Sequence, residues 1–186
     1  MTTHTPTDIP DVVRIQPTRH GDHRGFFSET FRSEWFPVLT FVQDNHSMSA
    51  EVGTLRGLHL QKPPRAQAKL VRVTRGAILD VVVDIRAGSP TFGHHVAVEL
   101  SAQNWEQILV PVGVAHGFIT REPNTEVLYK VTEVYSAQDE VGIAWDDPDI
   151  GIDWEVEPAE VILSDRDRGH PRLSELPQMF TYPEAH

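Results

Sequence analysis

Between residues 43 and 135 the chain is a succession of short runs rich in Val, Ile, Thr and aromatic residues, each stopped by glycine, proline or asparagine. None sustains the 3.6-residue apolar period of a major helix, which leaves an all-β architecture. Residues 68–74 and 77–86 are β-branched runs divided by Arg75-Gly76, and Ala87-Gly88-Ser89-Pro90 stops the second. That pattern predicts a hairpin. Residues 96–100, 107–110 and 125–135 repeat the theme, with Pro111-Val112-Gly113 and Glu122-Pro123-Asn124 as breaks. Regular short strands point to a jelly roll or sandwich. Residues 33–39 read as a single helical turn. The Asp-, Pro- and Glu-rich tail from 146 reads as loops and short helices packed on the barrel.

A chain of 186 residues is expected to form one domain, 1–186. Its net charge of −11 argues against a nucleic-acid surface, which needs clustered Lys and Arg. A few local arginines still suffice to hold a small anionic ligand. With no cysteine, disulfides, thiolate catalysis and Cys-based metal centres are all excluded, so histidines and carboxylates must carry any chemistry. No apolar run approaches the roughly 18 residues of a membrane span. The N-terminal residues have neither a basic head with an apolar segment nor an Arg-rich amphipathic pattern, so the cytoplasm is the expected compartment.

Period-two alternation sorts the candidate residues by face. Lys69 shares a face with Val71 and Val73. It is either an amine in an apolar interior or a strand-entrance lysine snorkelling to water. Tyr129 and Tyr135 share parity with Val127 and Val131; Tyr129 is either a proton donor or a packed phenol with a satisfied hydroxyl. His59 lies in the mostly apolar Leu55-Arg56-Gly57-Leu58-His59-Leu60-Gln61, where burial would hold a neutral imidazole able to accept a proton; the alternative is a hydrogen-bonded core histidine. Strict alternation puts Arg56 and His59 on opposite faces unless Gly57 or its neighbourhood bulges. Asp80 and Asp84 share a face among valines. Edge exposure is the simpler account, and orientation of His116 by one of them the sharper.

His116 sits in Pro111-Val112-Gly113-Val114-Ala115-His116, a turn common in metal-binding cupin barrels. The first cupin motif normally adds two histidines and a glutamate, but His59-Leu60-Gln61 offers one histidine. A catalytic metal usually takes three protein ligands, so no metal is expected. His94-His95 follows a turn glycine and is expected to face solvent.

Taken in order, Gln43-Asp44-Asn45, Leu55-Arg56-Gly57-Leu58-His59, Gln67-Ala68-Lys69, 80–86, Ser89-Pro90-Thr91-Phe92-Gly93, Ala115-His116-Gly117-Phe118, Tyr129-Lys130, Trp145-Asp146-Asp147-Pro148 and Leu163-Ser164-Asp165-Arg166-Asp167 resemble the dTDP-4-dehydrorhamnose 3,5-epimerase family. The resemblance spans roughly residues 8–175. It implies a cupin-like double-stranded β-helix, or jelly roll, with short helices and loops at its ends. It further implies a dTDP-linked 4-keto-6-deoxysugar as substrate, no cofactor, and a homodimer in which about residues 1–50 contribute to the neighbouring site while 146–186 pack on the barrel.

By the same resemblance His59 is the general base, Asp167 orients it, Lys69 stabilises the enolate and Tyr129 returns the proton on the opposite face. The implied substrate-binding positions are Arg24, Phe27, Glu29, Gln43, Asn45, Arg56, His116, Tyr135, Glu140 and Arg166. Leu60, Thr54 and His46 depart from the family's usual residues, at positions able to reshape sugar specificity. Two other readings compete with double epimerisation: a mono-epimerase acting at C3 or C5 alone, and a metal-dependent cupin oxygenase or non-catalytic binding module.

Overall fold

The computed structural model describes residues 1–183. Its strands are β1 (Thr3–Pro6), β2 (Val13–Gln16), β3 (Arg19–Asp22), β4 (Gly25–Ser28), β5 (Gln43–Ser49), β6 (Leu55–Gln61), β7 (Lys69–Arg75), β8 (Ala77–Asp84), β9 (His95–Ser101), β10 (Gln107–Val110), β11 (Val114–Thr120), β12 (Thr125–Val131) and β13 (Glu140–Gly142), and one short helix, α1, covers Asp165–Arg168. A six-stranded sheet runs β1-β2-β10-β7-β12-β5, a five-stranded sheet runs β13-β6-β11-β8-β9, and β3-β4 forms a separate ribbon. The fold is the all-β jelly roll implied by the sequence. Among the described residues no helix is long and apolar enough to cross a membrane.

The expected hairpin between residues 68 and 86 is absent. β7 pairs with β10 and β12 in one sheet, whereas β8 pairs with β9 and β11 in the other. The chain crosses between sheets at Gly76, whose φ of 76° and contact with Thr125 leave no room for a side chain. Alternation defines the faces of a strand but not its partner, and β8 is buried over all eight residues. Both of its faces therefore need cover. The run ending at 135 also stops early, at Val131, and the chain leaves the sheet before Tyr135.

Between the sheets, Ile78, Val82 and Phe118 pack against Val71, Val73 and Val127. On the outer face of the five-stranded sheet, Leu79, Val81, Val83 and Ile119 are covered by the C-terminal segment through Ile143, Ile150, Trp154 and Phe180. A third cluster, Ile15, Leu70 and Phe36, covers the six-stranded sheet with help from Trp35 at the 3-10 turn Ser33–Trp35.

Edge exposure for Asp80 and Asp84 is overturned: both are fully buried, on the inward parity of an interior strand. Asp84 receives Arg86 through Nε and Nη2, both at 2.9 Å, and the hydroxyls of Ser89 and Thr91. The same buried guanidinium donates to Asp11 and to the Pro10 carbonyl, and Tyr182 stacks on it at 4.8 Å. Arg86 thus ties the N-terminal segment and the tail to the end of β8. Replacing it leaves Asp84 buried without its cation, so Arg86→Met is expected to cost about 3–5 kcal/mol, read as a lower urea midpoint at unchanged slope.

Candidate active site

A cleft of about 540 Å³ opens between the two sheets, and His59, Lys69, Tyr129 and Asp167 all line it. Each arrives from a different element: β6, β7, β12 and α1. Lys69 and Tyr129 hold the inward parity of their strands, as alternation predicts. The placement of His59 depends on an irregularity. Leu55, Leu58 and Leu60 belong to the outer core, whereas Arg56 and His59 reach the cleft, so the parity of β6 inverts once between 56 and 58. The β6–β11 register shifts there, between the His116 and Phe118 pairings. Gly57 has φ 135°, and a Cβ on it would sit 2.5 Å from the Gly117 Cα. The bulge is therefore real, and it requires glycine on β6 opposite glycine on β11.

His59 Nε2 lies 2.6 Å from Asp167 Oδ1. Burial opposes ionisation of Asp167, but the hydrogen bond and charge of His59, with the Ser164 hydroxyl, outweigh it and hold the carboxyl below its ordinary value. An ionised carboxylate offers only lone pairs, so the Nε2 facing it carries a proton. Only Nδ1 is then left able to accept a proton.

Lys69 is 8% exposed, and Nζ donates to the His59 carbonyl at 3.1 Å. Burial brings its amine down to about 8, against the pull of Glu140 and Asp80. It is an interior amine and does not snorkel to water. Burial also raises the Tyr129 phenol, with Arg56 opposing, so Tyr129 stays protonated at neutral pH. For Glu140, burial is outweighed by the Tyr135 hydroxyl at 2.7 Å, by His59 and by Arg166, and its carboxyl is held low.

Arg56, His116, Tyr135, Glu140 and Arg166 line the same cleft. His116 Nε2 and Asp80 Oδ2 share a hydrogen bond at 2.7 Å, so Asp80 orients His116 as the sharper reading had it. Asp80 Oδ1 has no partner among the described residues. Gln43 and Asn45, on β5, are bonded to each other at 2.8 Å, and Gln43 Oε1 accepts the Tyr135 amide. Neither lines the main cleft. Asn45 and Glu29 line a second hollow, of about 470 Å³, with Arg72 and Lys130. Arg24 and Phe27 belong to the exposed β3-β4 ribbon, where Arg24 pairs with Asp22. Within one chain these residues do not join the cleft.

Sequence reasoning passed over Ser47, Gln61, Gln67 and His170. The first three line the cleft, and Ser47 and Gln61 hold the inward parity of β5 and β6, a signal that was present. His170 lies three residues after Asp167, the helical spacing that returns a side chain to the same face. His59, Asp167 and His170 also form the one His/carboxylate trio among the described residues compact enough to hold a metal ion, their ligand atoms lying within 4.8 Å of one another. The 2.6 Å hydrogen bond inside it accounts for that closeness by proton sharing.

The dTDP-4-dehydrorhamnose 3,5-epimerase family model matches residues 6–175. A dTDP-4-dehydrorhamnose 3,5-epimerase of Sinorhizobium fredii is 51% identical, covering 94% of this chain and 91% of that protein. The crystal structure of a dTDP-6-deoxy-D-glucose-3,5-epimerase from Legionella pneumophila, in complex with dTDP-4-keto-L-rhamnose, superposes with a TM-score of 0.93 at 38% identity, covering 98% of this chain and 100% of that one. A 3'-monoepimerase from Streptomyces bikiniensis in complex with dTDP gives 0.88 at 34% identity, covering 96% and 92%.

Burying the Lys69 ammonium costs the fold stability. The unfolded chain binds this proton up to about 10.5 and the folded chain only up to about 8, so the cost is complete below pH 8 and lifts as pH rises between the two values. Lys69→Met is therefore expected to stabilise the protein by about 1–3 kcal/mol at pH 7, with the gain shrinking above pH 8. Thermal unfolding across that pH range measures both.

Proposed function

The chain belongs to the dTDP-4-dehydrorhamnose 3,5-epimerase family and is an epimerase acting at C3 and C5 of a dTDP-linked 4-keto-6-deoxy sugar, dTDP-4-dehydro-6-deoxy-D-glucose; we propose that His59, Asp167, Lys69 and Tyr129 carry the reaction. The observation that supports this assignment is an imidazole held at 2.6 Å by a carboxylate kept ionised, with a protonated phenol and a buried amine in the same cleft. His59 removes the proton from the carbon beside the C4 ketone and becomes imidazolium against Asp167. The electron pair moves onto the ketone oxygen as an enolate, which the Lys69 ammonium stabilises more than it does the neutral ketone. Tyr129 then delivers a proton to the opposite face of the carbon. The existing carbonyl acidifies both neighbouring carbons, so proton transfers alone complete each inversion.

Arg56 and Arg166 supply charge for the diphosphate, and Tyr135, Glu140 and His116 frame the sugar and nucleoside. The mono-epimerase reading is the weaker, because relatives bearing the 3,5-epimerase name reach 51% identity and the 3'-monoepimerase 34%. Proton NMR of dTDP-4-keto-6-deoxyglucose in deuterated water separates the readings: exchange at both C3 and C5 is expected, and exchange at one carbon would support the mono-epimerase. His59→Ala is expected to lower exchange by about 10²–10⁴-fold. Tyr129→Phe is expected to keep exchange but lose inversion.

We further propose a homodimer, in which the β3-β4 ribbon brings Arg24, Phe27 and Glu29 toward the cleft of a second copy. Phe27 is 71% exposed and Phe26 54%, an apolar pair unsuited to a free surface. Sedimentation velocity is expected to give a dimer, and Phe27→Asp is expected to shift it toward monomer while raising KM.

A further inference from the structure

Two histidines converge on one carboxylate oxygen. His170 Nε2 lies 3.3 Å from Asp167 Oδ1, the oxygen that His59 Nε2 meets at 2.6 Å. The two rings stand edge to face, their centroids 5.4 Å apart and their planes at 89°. The His170 side chain is 10% exposed. Its ring is seated on Gly142, where any side chain would overlap it, and Gly142 is the residue of β13 that pairs with His59 on β6. Glycine at 142 thus makes the space that brings His170 beside the base.

An ionised carboxylate can only accept, so the His170 Nε2 facing it must carry a proton. Burial first, and the neighbouring His59 second, favour the neutral form of this ring against the pull of Asp167. A neutral ring gives Asp167 a hydrogen bond without adding a positive charge next to the imidazolium formed during turnover.

We propose that His170 is a positioning residue whose Nε2–H fixes the Asp167 carboxylate and draws off part of its charge, thereby setting the proton affinity of His59. The role rests on His59 being the base of the epimerase reaction. With the donor gone, the full charge of Asp167 faces His59 and the imidazolium is favoured, so the free base is lost at a higher pH. Lys69 on β7, His116 on β11, Tyr129 on β12, Glu140 on β13, Arg166 on α1, and Arg56 and Tyr135 also surround this cleft, and a change at position 170 alters none of these residues.

The test is the pH profile of C3 and C5 deuterium exchange for the wild type, His170→Phe and His170→Gln, with thermal unfolding of each. His170→Phe is expected to move the acid limb up by about one pH unit, the scale of one charge-assisted hydrogen bond, with KM within about twofold. His170→Gln retains an N–H donor and is expected to restore the wild-type limb. An acid limb that stays put in folded His170→Phe, or moves equally in His170→Gln, overturns the role while leaving the epimerase reading intact. A wild type that exchanges neither carbon overturns that reading and the role with it. Should His170→Phe fail to fold, nitrogen NMR of the wild type decides: a neutral ring protonated at Nε2 at pH 7 supports the role, and an imidazolium or a bare Nε2 overturns it.

Discussion

A sheet that is apolar on both faces cannot be left with one of them in water, and the five-stranded sheet imposes that constraint on the whole chain. Its inner face is closed by the six-stranded sheet through Val71, Val73 and Val127, and its outer face by the C-terminal segment through Trp154, Ile150 and Phe180. Each fully buried side chain of this kind contributes about 1.5–3 kcal/mol, so leaving either face open would exceed the net stability of an ordinary domain. The C-terminal segment is therefore fixed by packing, and in being fixed it carries Asp167 to His59 across 108 positions of sequence. The contact between His59 and Asp167 follows from the cover over the sheet.

The interior between the sheets is divided. One part is aliphatic; the other holds Lys69, Asp80, His116, His59 and Tyr129. Burying such groups is costly unless they are paired, and the pairings here are short: His116 to Asp80 at 2.7 Å, His59 to Asp167 at 2.6 Å, Lys69 to the His59 carbonyl at 3.1 Å. The residual cost appears at Lys69, whose amine is pulled down to about 8, and at Tyr129, whose phenol is raised. In the proposed reaction those two groups meet the developing negative charge, which is where preorganised electrostatics act.

Much of this site was legible in the chain. Parity put Lys69 and Tyr129 on faces shared with valines while leaving open whether the amine snorkels to water, and the apolar surroundings of His59 marked a candidate base. The ordered motifs identified the family, which in turn implied Asp167, Tyr135, Glu140 and Arg166. Other features were hidden for identifiable reasons. Residues 68–86 read as a hairpin because alternation carries no information on partner strands. Asp80 and Asp84 read as edge residues because their compensating groups, His116 and Arg86 with Ser89 and Thr91, are not visible in β8 itself. His170 was passed over because its importance depends on Gly142, a residue 28 positions away whose missing side chain admits the ring.

The sequence by itself determined the class of secondary structure, the inward faces of β7 and β12 and the absence of thiol chemistry, since these follow from local sterics, period and composition. It also posed the question of Gly57 without answering it. Only the tertiary structure decided that β6 inverts its parity there, because the bulge exists through the register with β11 and the close approach of Gly117. It likewise decided which carboxylate meets which histidine, because contacts between distant segments are set by how two sheets and a covering tail share their apolar faces, an arrangement that no local pattern encodes.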